Sequence, residues 1–120
     1  SAFATDAVSR GAVLVVAQDD PPAELAPRWV RVSDTRLALA HLASAFHGDP
    51  SRRMQVVGIT GTNGKTTTAY LVSSVFEAAG IRCGMLGTVT YRIGDETREA
   101  TRTTPEAPDV QALLQEMLQR

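Results

Sequence analysis

Gly58-Ile59-Thr60-Gly61-Thr62-Asn63-Gly64-Lys65-Thr66-Thr67-Thr68 is the stretch on which the reading of this 120-residue chain turns. Ahead of it runs an apolar segment of strand length, Met54 to Ile59 (MQVVGI). Behind it, from Lys65 to about Ala79, the apolar positions Ala69, Val72, Phe76 and Ala79 fall on one helical face, which Leu71 and Val75 widen. The order predicts strand, loop and helix, the setting a phosphate-binding loop requires. Glycines let the backbone curl until successive N–H groups face one anion, and the helix N-terminus adds partial positive charge there. Lys65 is placed to reach β- and γ-phosphates as a mobile charge, and the Thr66 hydroxyl to meet a magnesium ion bridging them. The strict pattern sets a glycine five residues before the glycine of Gly-Lys. Here that position is Ile59, and the glycines stand at 58, 61 and 64, so the loop is a shorter variant.

Outward from the loop the chain reads as α/β. Phe3, Ala7 and Val8 suggest a short helix stopped by Gly11. Ala12 to Val16 (AVLVV) reads as a strand buried on both faces, and Trp29 to Val32 as another. Ser33 or Asp34 can cap a helix carrying Leu39, Leu42, Ala43 and Phe46, which Gly48 and Pro50 end. The polar Asp49 to Arg53 reads as a linker. After the loop helix, with Gly80 as its stop, Arg82 to Tyr91 predicts a second strand and Gly94-Asp95 a hairpin turn. Pro105 and Pro108 then precede a helix bearing Val110, Leu113, Leu114, Met117 and Leu118.

Composition narrows the function classes. Twelve basic residues against 13 acidic ones give a formal charge of -1, which offers no global attraction to nucleic acid or anionic lipid. Basic side chains do gather at Arg52-Arg53, read as solvated loop residues, and at Arg92, Arg98 and Arg102. No apolar run approaches a membrane span, and no basic segment followed by an apolar core opens the chain. The lone Cys83 can form no intramolecular disulfide and reads as a small core residue; a reducing, cytoplasmic setting fits. Ala12 to Asp20 superficially resembles an apolar strand ending in a metal-binding acid, but its acids come late and upstream of the loop. No Asn-Lys-x-Asp segment supports a guanine nucleotide. His41 and His47 show no partner pattern, and Trp29 and Tyr70 read as core.

Gly58 to Thr68 resembles the ATP loop of the Mur ligases. Three further stretches are similar to the branch of that family that adds the third peptide residue: Val32 to Ala40 (VSDTRLALA), Gly87-Thr88-Val89 as a second central strand, and Thr103-Thr104-Pro105-Glu106 as a substrate-binding turn. The resemblance covers nearly the whole chain. It implies part of an N-terminal UDP-substrate domain at 1–48, a linker at 49–53 and the start of a parallel-sheet, P-loop-type ATP-binding domain at 54–120. It further implies a cytoplasmic enzyme, expected to be monomeric, that uses ATP and Mg2+ to add a diamino acid to UDP-N-acetylmuramoyl-L-alanyl-D-glutamate through an acyl phosphate. Lys65 would be the catalytic cation and Thr66 a magnesium ligand. Gly61, Thr62, Asn63, Gly64, Lys65, Thr66 and Thr67 would bind ATP, and Thr103 and Thr104 the muramoyl-dipeptide. The piece by itself is expected to be inactive, with no nucleic-acid or membrane partner. The alternatives are another ligase of the superfamily, such as a folylpolyglutamate or cyanophycin synthetase, or a non-catalytic nucleotide-binding module.

Overall fold

A computed structural model describes residues 2–100 and 104–120. The chain is α/β and divides into two compact units, residues 1–42 and 43–120.

In the first unit, helix α1 (Ala2–Ser9) leads to strand β1 (Val15–Ala17), a 3-10 turn at Ala23–Arg28, strand β2 (Trp29–Arg31) and the start of helix α2 (Thr35–Phe46). The strands pair in parallel, Val15 with Trp29 and Ala17 with Arg31. The 3-10 turn between them buries Leu25. Trp29 Nε1 donates to the Asp19 carbonyl at 2.9 Å, and Arg31 pairs with Asp20 at 2.7 Å, so the strand ends are tied to the loop after β1. Asp34 is the cap of α2: its Oδ1 accepts from the N–H of Arg36 at 2.8 Å and of Leu37 at 3.0 Å, satisfying two of the donors a helix start leaves open. The AVLVV run is not a strand buried on both faces. Only its end enters β1, while Val13 and Leu14 are exposed. A two-stranded sheet supplies a neighbour on one edge only, so the rest of the run finds no ladder.

The second unit holds the end of α2, a 3-10 turn at Pro50–Arg52, helix α3 (Lys65–Ala78), strands β3 (Met85–Leu86), β4 (Thr90–Ile93) and β5 (Glu96–Glu99), and helix α4 (Ala107–Gln119). The three strands form an antiparallel sheet in the order β3-β4-β5. Gly94-Asp95 closes the β4–β5 hairpin, with Ile93 opposite Glu96 and Gly94 at a φ of 58°. Among the described residues Ile93 and Pro50 are the largest wholly buried side chains, and Ala43, Met85, Tyr91 and Leu114 are buried with them in this unit. Packing is close where α4 meets the approach to β3: a Cβ added at Gly84 would collide with the Met117 side chain.

Two expected strands of this unit differ as well. Met54 to Ile59 forms no ladder, and Val56 and Val57 are exposed. The sheet of this unit is therefore antiparallel, and the parallel sheet expected around the loop is not present among the described residues. A parallel strand is stabilised by neighbours and cover on both faces, and none of the described strands pairs with this one. Arg82 to Tyr91 is not one strand either. Gly87 to Val89, expected inside it, turns the chain between β3 and β4, with the Gly87 N–H donating to the Thr90 carbonyl at 3.0 Å.

Helix ends follow the sequence closely. At α1, α2 and α3 the N–H two residues past the last turn bonds back in the same pattern: Ala12 to the Ala7 carbonyl, Asp49 to Ser44, Ile81 to Phe76. Gly11, Gly48 and Gly80 provide the left-handed residue that this C-terminal motif needs. Helix α4 starts from a capping box in which the Glu106 N–H donates to Asp109 Oδ2 at 3.2 Å and the Glu106 side chain accepts from the backbone of Asp109. Pro108 stands inside the first turn, where its missing N–H costs nothing.

Candidate nucleotide-binding site

The loop before α3 owes its shape to two glycines. Gly61 has a φ of 152° and Gly64 a φ of 77°, and Gly64 is the residue from which α3 departs. Side chains with a Cβ avoid that region, so these positions favour glycine. The Thr68 N–H is the first to bond back, to the Gly64 carbonyl at 2.9 Å. A helix beginning at Lys65 therefore leaves the N–H groups of Lys65, Thr66 and Thr67 without intrahelical acceptors. No side chain of Gly64 can cap them. Donors left free at one point, with the helix dipole behind them, make a place for an anion.

Lys65 bends back over this turn. Its Nζ donates to the Gly61 carbonyl at 2.6 Å and lies 3.5 Å from the Thr62 carbonyl. The ammonium thus sits across the mouth of the loop instead of extending into solvent. Every residue from Gly61 to Thr67 is exposed, and the stretch holds no acidic side chain. The set suits a polyphosphate: amide donors, one cation and threonine hydroxyls, with no carboxylate to repel it. Thr66, on the first turn of α3, offers one hydroxyl of the oxygen type magnesium prefers.

The opposite side of α3 is tied to the sheet. Arg92 on β4 pairs with Glu77 and donates to Ser73, a buried polar residue of the helix. Tyr70 Oη lies 3.3 Å from Thr90 Oγ1. Tyr70 is thus a partly exposed link between α3 and β4 and not a core residue. Nothing in the residue pattern signals the Arg92 contacts, because they join residues that only the fold brings together. The hint available was the alternation in β4, where Tyr91 and Ile93 are buried and Thr90 and Arg92 half-buried.

The other expected site residues lie apart from the loop in sequence. Thr104 is exposed, in the bend leading into α4, and Thr103 lies outside the described residues, as does Arg102. Arg98, expected with Arg92 and Arg102 as a basic group, is neutralised. It makes two-pronged bonds to Glu96 (2.6 and 2.9 Å) and to Glu116 (3.0 and 2.6 Å), and Arg120 reaches the same two carboxylates. Arg98 and its hydrogen bonds hold Glu96 down to about 2. They lower Glu116 too, and the hydrogen bonds of Glu96, then Glu116, raise Arg98 in turn. This cluster fastens β5 to α4 and leaves no free charge for a phosphate. Arg52 and Arg53 are exposed as read from the sequence, and Cys83 is half-buried. His47 does have a partner, Gln115.

Comparison with known proteins bears on what this loop serves. The Mur ligase middle domain matches residues 59–120, from the loop through α4. A Geobacter sulfurreducens protein named UDP-N-acetylmuramoyl-L-alanyl-D-glutamate--2,6-diaminopimelate ligase is 46% identical over 116 residues, 97% of this chain and 23% of its own length. The Geobacter metallireducens protein of the same name is 49% identical over 111 residues, 92% of this chain and 22% of its own. A Roseiflexus protein named UDP-N-acetylmuramyl-tripeptide synthetase is 46% identical over 126 residues, again 97% of this chain and 23% of its own. The chain thus spans about a quarter of the length of the curated relatives it matches. Since the matched domain takes in more than half of the residues and carries the loop at its start, this chain belongs to the Mur ligase family.

Proposed function

We propose that this chain supplies the ATP loop of a ligase that joins 2,6-diaminopimelate to UDP-N-acetylmuramoyl-L-alanyl-D-glutamate. The observation that carries the reading is the loop of Gly61 to Thr67, acid-free and opening on the bare N-terminus of α3, in a chain so similar to enzymes bearing that name. The names of the relatives favour diaminopimelate over lysine as the amine.

Making an amide from a carboxylate requires that a poorly leaving oxygen be replaced, and ATP supplies the phosphoryl group that does so. The chain's own part is to hold and neutralise. The N–H groups of Lys65, Thr66 and Thr67, with the loop of Gly61, Thr62, Asn63 and Gly64, fix the phosphates. Lys65 swings from the Gly61 carbonyl to offset the charge that builds on the phosphoryl oxygens, an interaction strongest in the transition state. Thr66 would contribute to holding Mg2+. Thr103 and Thr104 would donate hydrogen bonds to the muramoyl-dipeptide. On this reading residues 1–48 belong to the UDP-substrate domain, 49–53 to the connection and 54–120 to the ATP-binding domain of an enzyme acting as a monomer in the cytoplasm.

The test uses the complete enzyme containing this chain. It should form one ADP per tripeptide, with diaminopimelate preferred to lysine. Lys65→Ala should lower kcat by about 100- to 1,000-fold while the melting temperature changes little, because Lys65 is exposed and its bonds to the Gly61 and Thr62 carbonyls are made at the surface. Full turnover by the folded Lys65→Ala enzyme, or product formed without ATP, refutes the reading.

A further inference from the structure

The segment read from the sequence as a polar linker is a built joint, fastened to α4. Asp49 is the non-glycine residue with positive φ (51°) among the described residues, a left-handed conformation that aspartate adopts more readily than most side chains when it can bond locally. Support is present: Ser44 Oγ donates to Asp49 Oδ1 at 2.8 Å, and the Asp49 N–H donates to the Ser44 carbonyl at 2.8 Å. The next residue, Pro50, is wholly buried, and the 3-10 turn it starts packs against α4. His47, the last residue before the glycine that ends α2, has its Nδ1 2.7 Å from Gln115 Oε1 on α4. With the amide oxygen as acceptor, the imidazole carries its proton on Nδ1.

Helix α4 has a second connection. Its N-terminus is entered from the Thr104-Pro105 bend, locked by the Glu106–Asp109 capping box and by the fixed φ of Pro108. Gln115 lies about 12 Å along the helix from that entry, at 1.5 Å of rise per residue, so His47 bonds to α4 well away from the bend itself. An α-helix is stiff over such a length. A shift of α4 against the joint is a shift of the bend.

We propose that His47 and Gln115 are positioning residues: their hydrogen bond, with buried Pro50, fixes α4 to the joint and thereby sets the place of Thr104 in the bend before α4, so that affinity for the nucleotide-sugar peptide depends on it and affinity for ATP does not. This rests on the reading of Thr104 as a substrate contact. The glycine loop enters α3, not α4, and among the described residues neither His47 nor Gln115 hydrogen-bonds to α3.

In the complete enzyme, His47→Ala and Gln115→Ala should each raise KM for UDP-N-acetylmuramoyl-L-alanyl-D-glutamate roughly three- to tenfold, the weight of one hydrogen bond. The double variant should do no more than either single one, because both remove the same bond. KM for ATP should stay within about twofold of wild type, and His47→Asn, which keeps a donor near the Nδ1 position, should restore most of the affinity. An unchanged KM for the nucleotide-sugar peptide in folded variants overturns the proposal. So does a parallel rise in both KM values, or an additive double variant. Wild-type turnover in the same assay reports separately on the functional reading.

Discussion

Helices α3 and α4 are of similar length, 14 and 13 residues, and both carry an apolar face in the sequence, yet their surroundings differ. Along α4, Leu114 is buried, Met117 presses on Gly84, and Glu116 and Gln115 hold Arg98 and His47. Along α3, Leu71 and Val75 remain 64% and 68% exposed, and among the described residues its side-chain bonds to β4 come from Ser73, Glu77 and Tyr70. The difference lies in the strands. The run Met54 to Ile59, adjoining α3 through the loop, has no ladder partner among the described residues, whereas β3, β4 and β5 pair with one another. Apolar periodicity says that a helix has a face to cover. It does not say whether the cover is at hand.

Substitutions on the two helices sharpen the contrast. In the 120-residue chain, Leu114→Ala should destabilise by about 2–5 kcal/mol, the transfer loss plus a cavity. Leu71→Ala should cost less than about 0.5 kcal/mol, because most of that side chain already meets water. Urea unfolding of both variants gives the comparison, and equal costs would break it. Repeating the pair in a longer protein sharpens it: a cost at Leu71 that rises toward that at Leu114 shows that residues outside this chain cover α3.

A smaller effect is expected in acid. Arg98, then Arg120, lowers Glu96 from an ordinary 4.5 to about 2 in the folded chain. A group whose folded value is depressed stabilises the fold in its ionised form. That contribution is complete above about 4.5 and is lost as pH falls toward 2. Glu116, lowered by the same arginine, adds in the same direction. Glu96→Gln should therefore flatten the fall of stability between those values, and it should leave stability at pH 7 little changed, since exposed pairs contribute weakly and are screened by salt. An acid limb identical to wild type would remove Glu96 from the account.

What the sequence made legible was local. The α1, α2 and α3 stops, the Asp34 cap and the Gly94-Asp95 hairpin are each decided by a few adjacent residues, and they stand where the pattern put them. The loop is legible for the same reason, its residues being contiguous. Strand extents were not, because a strand is defined by its neighbour: AVLVV shortened to its last residues, MQVVGI went unpaired, and Arg82 to Tyr91 broke at Gly87. The contacts that organise α4 were beyond reach. Arg98 meets Glu116 across 18 residues and His47 meets Gln115 across 68, and neither spacing has a periodicity to betray it. The reading of Thr103 and Thr104 came from resemblance alone, and only Thr104 is described, as an exposed residue ahead of α4.

Central to this account is that the N-terminus of α3, and not the better-packed α4, meets the phosphates. Amide hydrogen exchange in the complete enzyme, with and without ATP and Mg2+, tests that directly. The amides of Gly61 to Thr67, exposed here, should gain protection when nucleotide is added, while those in the body of α4 keep the protection they already have. Exchange in Gly61 to Thr67 that stays unchanged under saturating nucleotide, in an enzyme that is turning over, would contradict it.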